Sequence, residues 1–306
     1  MPRVAVITPT YNRGSNGLLE KTMLSVLGQT YIDFVHIIVD DGSTDNTPDV
    51  VDRYARGDGR VAYCRRERTP QQKFGASAAR NYGIESLRNF SDAEFVTFLD
   101  SDDLYARHAL ERRLEAMECP NVRMVYSWLG AFRKTCPLWT MKGPDTKKPC
   151  AIAKELTNKT RADFPNPTLF LTTQLLEEVG RFDENIAYGE DRDFSIRVLE
   201  HLREGEMIVL PEVLQYYRLH DEGVCEFYRK NNRVGDELAY LSDKHRRTRT
   251  AAAIETAKRA VTRPHSFLPE SIKKYLRPVR DTITSMAPGF DIDPFIIQIE
   301  TRHQTA

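Results

Sequence analysis

Apolar positions along the first 130 residues switch between two periods. Val4-Ala5-Val6-Ile7 is a short continuous apolar run, as in a strand buried on both faces. Leu18, Leu19, Met23, Val26 and Leu27 then recur at helical spacing. Phe34-Val35-His36-Ile37-Ile38-Val39 reads as a second strand. The polar turn Asp41-Gly42-Ser43-Thr44 leads into a helix over 47–56, with Ser43 and Thr44 as N-cap candidates. Residues 60–65 and 94–99 read as further strands, and 76–88 and 107–117 as helices. Residues 122–128 close the series.

This alternation predicts an α/β fold with a parallel sheet and right-handed crossovers. Ligands in such sheets bind beyond the carboxyl ends of the strands. Thr8–Asn12, Asp40-Asp41 and Asp100-Ser101-Asp102-Asp103 all fall there. Residues 129–165 are less regular, rich in Lys, Pro and Cys, and read as an insertion or loop over the sheet. Beyond about residue 225 the chain reads as helices and linkers, with a long candidate helix over 239–261 and prolines after it. The expected division is therefore an α/β domain over 1–225 and a helical extension over 226–306.

Composition narrows the class. The 306 residues are 41% hydrophobic and 29% charged, which is ordinary for a globular protein. Lys+Arg and Asp+Glu are 44 each, and a neutral chain is a poor match to a general nucleic-acid binder. The balance is uneven, because residues 226–306 carry 15 basic and 10 acidic side chains. No apolar run reaches the roughly 18 residues that span a bilayer. The N-terminus has no signal-peptide layout. The five scattered cysteines form no C-x-x-C pair, so free thiols and a cytoplasmic setting are expected.

Several clusters can carry chemistry. Three carboxylates in Asp100-Ser101-Asp102-Asp103 repel one another unless a cation sits among them, and hard oxygen ligands suit Mg²⁺ or Mn²⁺. The plainer alternative is that Asp102 or Asp103 caps the next helix. Asp40 can accept a hydrogen bond from a base or a ribose, while Asp41 suits the turn. Tyr11, after Thr8-Pro9-Thr10, can stack on a flat base or pack at the sheet edge. Gly75-Ala76-Ser77-Ala78-Ala79-Arg80 opens a helix where small residues admit a ligand and Arg80 can meet a diphosphate. The alternatives there are close helix packing and a surface ion pair. Glu190 or Asp191 can serve as a general base if the helix they begin faces the other carboxylates. His220 can hold a metal or phosphate, or be structural.

Taken in order, these stretches resemble the family 2 glycosyltransferases of the GT-A fold. They are Val4 through Arg13, Val39 through Thr47, Gly75 through Gly83, Phe98 through Asp103, Gly180 through Glu184, and Gly189-Glu190-Asp191. The resemblance implies a three-layer α/β/α fold with a mostly parallel mixed sheet, and a catalytic domain over 1–225 in which a nucleotide-sugar-binding part (about 1–128) precedes an acceptor-side part (about 129–225). It also implies inverting transfer from a nucleotide-diphosphate sugar, most simply a UDP-sugar, to a hydroxyl acceptor, as in polysaccharide or glycoconjugate synthesis. By position, Pro9, Thr10, Tyr11, Arg13, Asp40, Gly75, Arg80, Asp100 and Ser101 would line the donor site. Asp102 and His220 would hold the metal, with Asp191 as base beside Glu190. The chain departs from the family pattern at Arg192-Asp193, where many members have an aromatic, so Asp193 competes for the base role.

Two alternatives share parts of this pattern: a sugar nucleotidyltransferase and a non-catalytic nucleotide-sugar-binding protein. The former usually has a Gly-rich loop after its first strand, where this chain has Thr8-Pro9-Thr10-Tyr11-Asn12-Arg13. The basic stretch within 265–306 reads either as a peripheral membrane contact or as a tail packed on the domain or on a second subunit.

Overall fold

The computed structural model describes residues 2–67, 69, 72–90, 92–142, 148–158, 168–220 and 239–248. Parallel pairing joins β1 (Val4–Thr10), β2 (Phe34–Asp40), β3 (Val61–Arg65) and β4 (Phe95–Phe98) in the order β3-β2-β1-β4. The connecting helices are α1 (Leu18–Leu27), α2 (Thr47–Gly57) and α3 (Ala76–Phe90). Every residue of β1 and β2 is buried, as the continuous apolar runs require. Their register sends alternate residues to opposite layers. Ala5, Ile7, Val35, Ile37 and Val39 join one core cluster, Val4, Val6 and Phe34 the other. Helices on both faces make the three layers. Gly83 shows how closely α3 lies on the sheet, since a Cβ there would come within 2.6 Å of Ile7 Cγ2.

The second half completes a mixed sheet. The two-residue strand β5 (Leu104–Tyr105) and helix α4 (Ala109–Met117) follow the acidic run. Next come β6 (Met124–Arg133), β7 (Cys136–Met141), α5 (Pro149–Asn158), β8 (Phe170–Thr172), α6 (Thr173–Val179), α7 (Glu190–His201) and β9 (Met207–Arg218). Strand β8 lies antiparallel between β4 and β6, and β9 runs parallel to β6. Beyond β9 the order ends with β5, while β7 hangs off β6 as a hairpin partner.

Three expectations change. Ser43 and Thr44 do not cap α2, whose N-cap is Asn46 without a side-chain bond; Asp45 Oδ1 instead accepts from Thr47 N (3.0 Å). Neither Asp102 nor Asp103 caps a helix, because β5 intervenes and His108 is the N-cap of α4. Part of 129–165 is regular rather than loop: β6 runs on to Arg133, a hairpin returns as β7, and α5 follows. Of the late segment, 239–248 is helical. The rest of the expected 239–261 helix, the basic stretch within 265–306 and Cys225 lie outside the described residues. The other four cysteines are free thiols. No helix among the described residues is long and apolar enough to cross a membrane.

Candidate active site

The loop after β1 is laced to the loop after β2. Asn12, in the left-handed region at φ 51°, donates its N–H to Ser43 Oγ (2.9 Å) and accepts from Thr44 N (2.8 Å). Arg13 N and Gly14 N both donate to Thr47 Oγ1. This lacing leaves the Tyr11 ring 43% exposed at the strand end and carries the Arg13 guanidinium to Asp102 Oδ2 (3.2 Å). Pro9 and Thr10 are buried beside Tyr11, and among the described residues the Thr10 hydroxyl has no partner. The buried Ser77 hydroxyl, in the first turn of α3, also has none.

Asp40, expected as the ligand candidate, also makes the turn bond expected of Asp41. Asp40 is fully buried and closes the turn: Oδ1 accepts from Ser43 N (2.8 Å) and Oδ2 from the Tyr63 hydroxyl (2.8 Å). Asp41 reaches across instead, accepting from Gly75 N (2.8 Å) and from Arg66. Gly75, at φ 110°, thereby anchors the start of α3 to the end of β2.

In the acidic run the carboxylates diverge. Burial works against ionising Asp102, but a hydrogen bond from His220 and the charges of Arg13 and Arg218 outweigh it and hold Asp102 below the usual carboxylate range. His220 Nε2 lies 2.9 Å from Asp102 Oδ2, and Arg218 Nε donates to Asp102 O (2.7 Å). Asp103 turns inward with no exposure, accepting Arg218 N at Oδ1 (3.0 Å). Burial and the charges of Asp102 and Asp100 push Asp103 well up. Ser101 is buried between them.

Arg80 joins the two halves. Only 6% of its side chain is exposed, so it is no surface pair. One terminal nitrogen meets Asp100 Oδ1 (2.6 Å), the other Glu190 Oε1 (2.8 Å). The sequence expectation of a diphosphate contact thus meets a guanidinium already bound by two carboxylates, although its buried Nε has no partner. Arg80, Asp100 and Asp191 share a small cavity with Phe98, Leu169, Phe182 and Phe194. Phe182 stacks on Phe194 at 4.2 Å, and Phe98 meets Phe182 edge-on at 5.1 Å. In this apolar enclosure burial, and then the charge of Glu190, push Asp191 up to about 7.

Residues 5–174 match the family model for glycosyl transferase family 2, more than half of the chain. The chain belongs to glycosyl transferase family 2. The GalNAc(5)-diNAcBac-PP-undecaprenol beta-1,3-glucosyltransferase of Campylobacter jejuni is 36% identical over 115 residues, 38% of this chain and 34% of that one. The chain spans less than half the length of such curated relatives, 42% and 43% for proteins of Bacillus subtilis and Haemophilus influenzae. Among solved structures, S. aureus TarS 1–349 in complex with UDP superposes with a TM-score of 0.54 at 23% identity, over 78% of this chain and 65% of that one. The mannosyltransferase PcManGT of Pyrobaculum calidifontis, in complex with GDP-Man and Mn²⁺, gives 0.51 at 20% identity over 86% and 81%. These likenesses establish the GT-A type of α/β fold.

Within this family 2 fold the two rival acids part company. Asp193 has no exposure and accepts from Arg197 Nε (2.8 Å), Lys244 Nζ (2.7 Å) and His245 Nε2 (3.0 Å). Burial opposes its ionisation, yet these partners hold it well below the usual range. It has no place in the cavity that Asp191 lines. Arg192 is spent on α5, its guanidinium donating to Leu156 O. Asn81 binds the backbone of Phe182 through both side-chain atoms, joining two of the stretches that carry the resemblance. Sequence reading missed Tyr63, Arg66, Lys244 and His245, which bind site carboxylates from distant segments; only Arg218, two residues before His220, carried a local signal. Among the described residues no group of three or more His, Cys, Asp or Glu is arranged to hold a metal ion. Asp102 and His220 form a two-donor set.

Proposed function

We propose that this family 2 chain transfers a sugar from a nucleotide diphosphate sugar to an acceptor hydroxyl, with inversion, and that Asp191 is the general base. The observation that carries this reading is the contrast within one helical turn: Asp191 lines a cavity with Asp100 and Arg80, whereas Asp193 is fully engaged elsewhere. A carboxylate raised to about 7 is well matched to taking a proton from a hydroxyl near neutral pH. Glu190 contributes charge and holds Arg80. A single displacement at the anomeric carbon needs no enzyme nucleophile.

Tyr11 offers a ring for the base, and Thr10 a buried hydroxyl that still lacks a partner. Pro9, Gly75, Asp100 and Ser101 complete the donor side. Asp40 shapes that pocket through its turn, and Arg80 orders Asp100 within it. Arg13 supplies positive charge beside Asp102. Carboxylate and imidazole are suitable donors for Mn²⁺ or Mg²⁺, so Asp102 and His220 would hold such a cation. Diphosphate oxygens would complete its shell. When bound it neutralises the leaving nucleoside diphosphate. UDP is the favoured nucleotide, in keeping with the TarS complex; GDP is the alternative to test, as in PcManGT.

Calorimetric titration with UDP and with GDP, each with Mn²⁺ and again with EDTA, tests the donor site. UDP binding that needs the metal and is lost in Asp102→Ala is the expected result. GDP binding without UDP binding would overturn the base assignment. Absence of binding by either would overturn the donor site itself.

A further inference from the structure

We propose that helical residues 239–248 clamp the first turn of α7 and so position Asp191, with Lys244 and His245 as the positioning residues. The inference rests on Asp191 as the base. Residues two apart on a helix point about 200° apart around its axis. Asp191 on one side of that turn therefore faces the cavity, and Asp193 faces the late segment. Leu241, Lys244 and His245 recur at the i, i+3, i+4 spacing of one helix face. Lys244 Nζ bridges Asp193 Oδ1 and Asp183 Oδ2, each at 2.7 Å, so it ties α7 to the loop that enters it. His245, 3% exposed, adds a bond to the same Asp193 oxygen.

The apolar contacts agree. Leu241 is 1% exposed and packs with Ile186 of the entering loop. A Cβ on Gly189, the left-handed N-cap of α7, would come within 2.8 Å of Leu241 Cδ1, so the segment sits directly on the helix start. Ser242 Oγ donates to Thr157 O (2.5 Å) at the end of α5, fixing the segment from its other side. Arg192 and Asp193, where the sequence departs from its family's pattern, are the two residues of this turn bound to α5 and to the late segment. Asp191 itself faces Glu190, Arg80 and Asp100, while Arg197 and Asp183 complete the charges around the clamp.

The test uses the full chain carrying Lys244→Met, Lys244→Met with His245→Gln, or Lys244→Arg. A displaced base loses rate without losing donor affinity. The double variant is expected to lower kcat about tenfold to a hundredfold. UDP affinity and donor KM should change by less than about twofold. The acid limb of the kcat profile should move to lower pH, as a loosened turn lets water reach Asp191. Lys244→Arg, which can still bridge, is expected to restore most of the rate. Unchanged kcat would overturn the proposal, and so would loss of UDP binding in step with kcat, which marks general unfolding. Amide exchange at residues 190–193 gives a readout independent of activity. If the unaltered chain transfers no sugar, the base reading fails; faster exchange in Lys244→Met would still support the clamp, and unchanged exchange would overturn it.

Discussion

The molecule holds two acidic runs, Asp100–Asp103 at the end of the parallel strands and Glu190–Asp193 at the start of α7. Both look alike as charge clusters, yet in each the members have opposite fates. In the first, Asp102 is held ionised by His220, Arg13 and Arg218, while Asp103, one residue on, is pushed well up in the core. In the second, Asp191 is raised beside an apolar wall, while Asp193 is lowered by three basic partners. Clustering therefore does not assign a role. What faces each carboxylate does, and that is set by segments far away in sequence: Arg13, Arg218, Lys244 and His245.

The largest expected effect breaks the second run apart. Asp191→Asn should lower kcat by about 10²–10⁴-fold, the usual contribution of a general base, while UDP still binds. Asp193→Asn should leave far more of the rate. The base must be ionised to act, so unaltered activity should fall on the acid side with a midpoint near the value of about 7 for Asp191. Equal losses of rate in the two variants, with both folded, would remove the distinction between them.

Stability should rank the same pair the other way. Asp193→Ala leaves Lys244, His245 and Arg197 without their shared counter-charge, at a cost of about 3 kcal/mol in urea unfolding at pH 7. The pH dependence has a definite sign. Asp193 is depressed in the folded state, so its contribution is complete above the unfolded carboxylate value and fades as pH falls below it. The gap between the unaltered chain and Asp193→Ala should accordingly narrow in acid. A gap that widened would mean that another group carries the effect.

How much of this was legible in the sequence follows from the range of the interactions. The parallel half was readable because each strand is a local apolar run, and β1, β2 and β4 stand where the pattern predicted. The β6–β7 hairpin was not, because β7 is an edge strand whose Cys136, Pro137, Leu138 and Trp139 are all exposed and leave no buried alternation. The candidate site residues could be picked out by resemblance, but their division of labour could not. Asp40 and Asp41 are adjacent and chemically identical, and only Tyr63, Arg66 and Gly75 tell them apart. Asp193 gave no local sign of its partners about 50 residues ahead.

The smallest effect sharpens the first run. Asp103 is raised well above the ordinary value by burial and by the charges of Asp102 and Asp100, which favours its protonated form in the folded chain. A carboxamide has nearly the shape of a protonated carboxyl and can still accept from Arg218 N through its oxygen. In acid, where the carboxyl is protonated in the folded and unfolded chain alike, Asp103→Asn should therefore shift urea unfolding by less than about 1 kcal/mol. Above the unfolded carboxylate value the folded chain holds a proton that the unfolded chain has lost, so the unaltered protein loses stability as pH rises and the carboxamide does not. A stabilisation of the variant that grows as pH rises from that value supports the raised Asp103, and a difference that stayed flat would show that Asp103 titrates alike in the folded and unfolded chain.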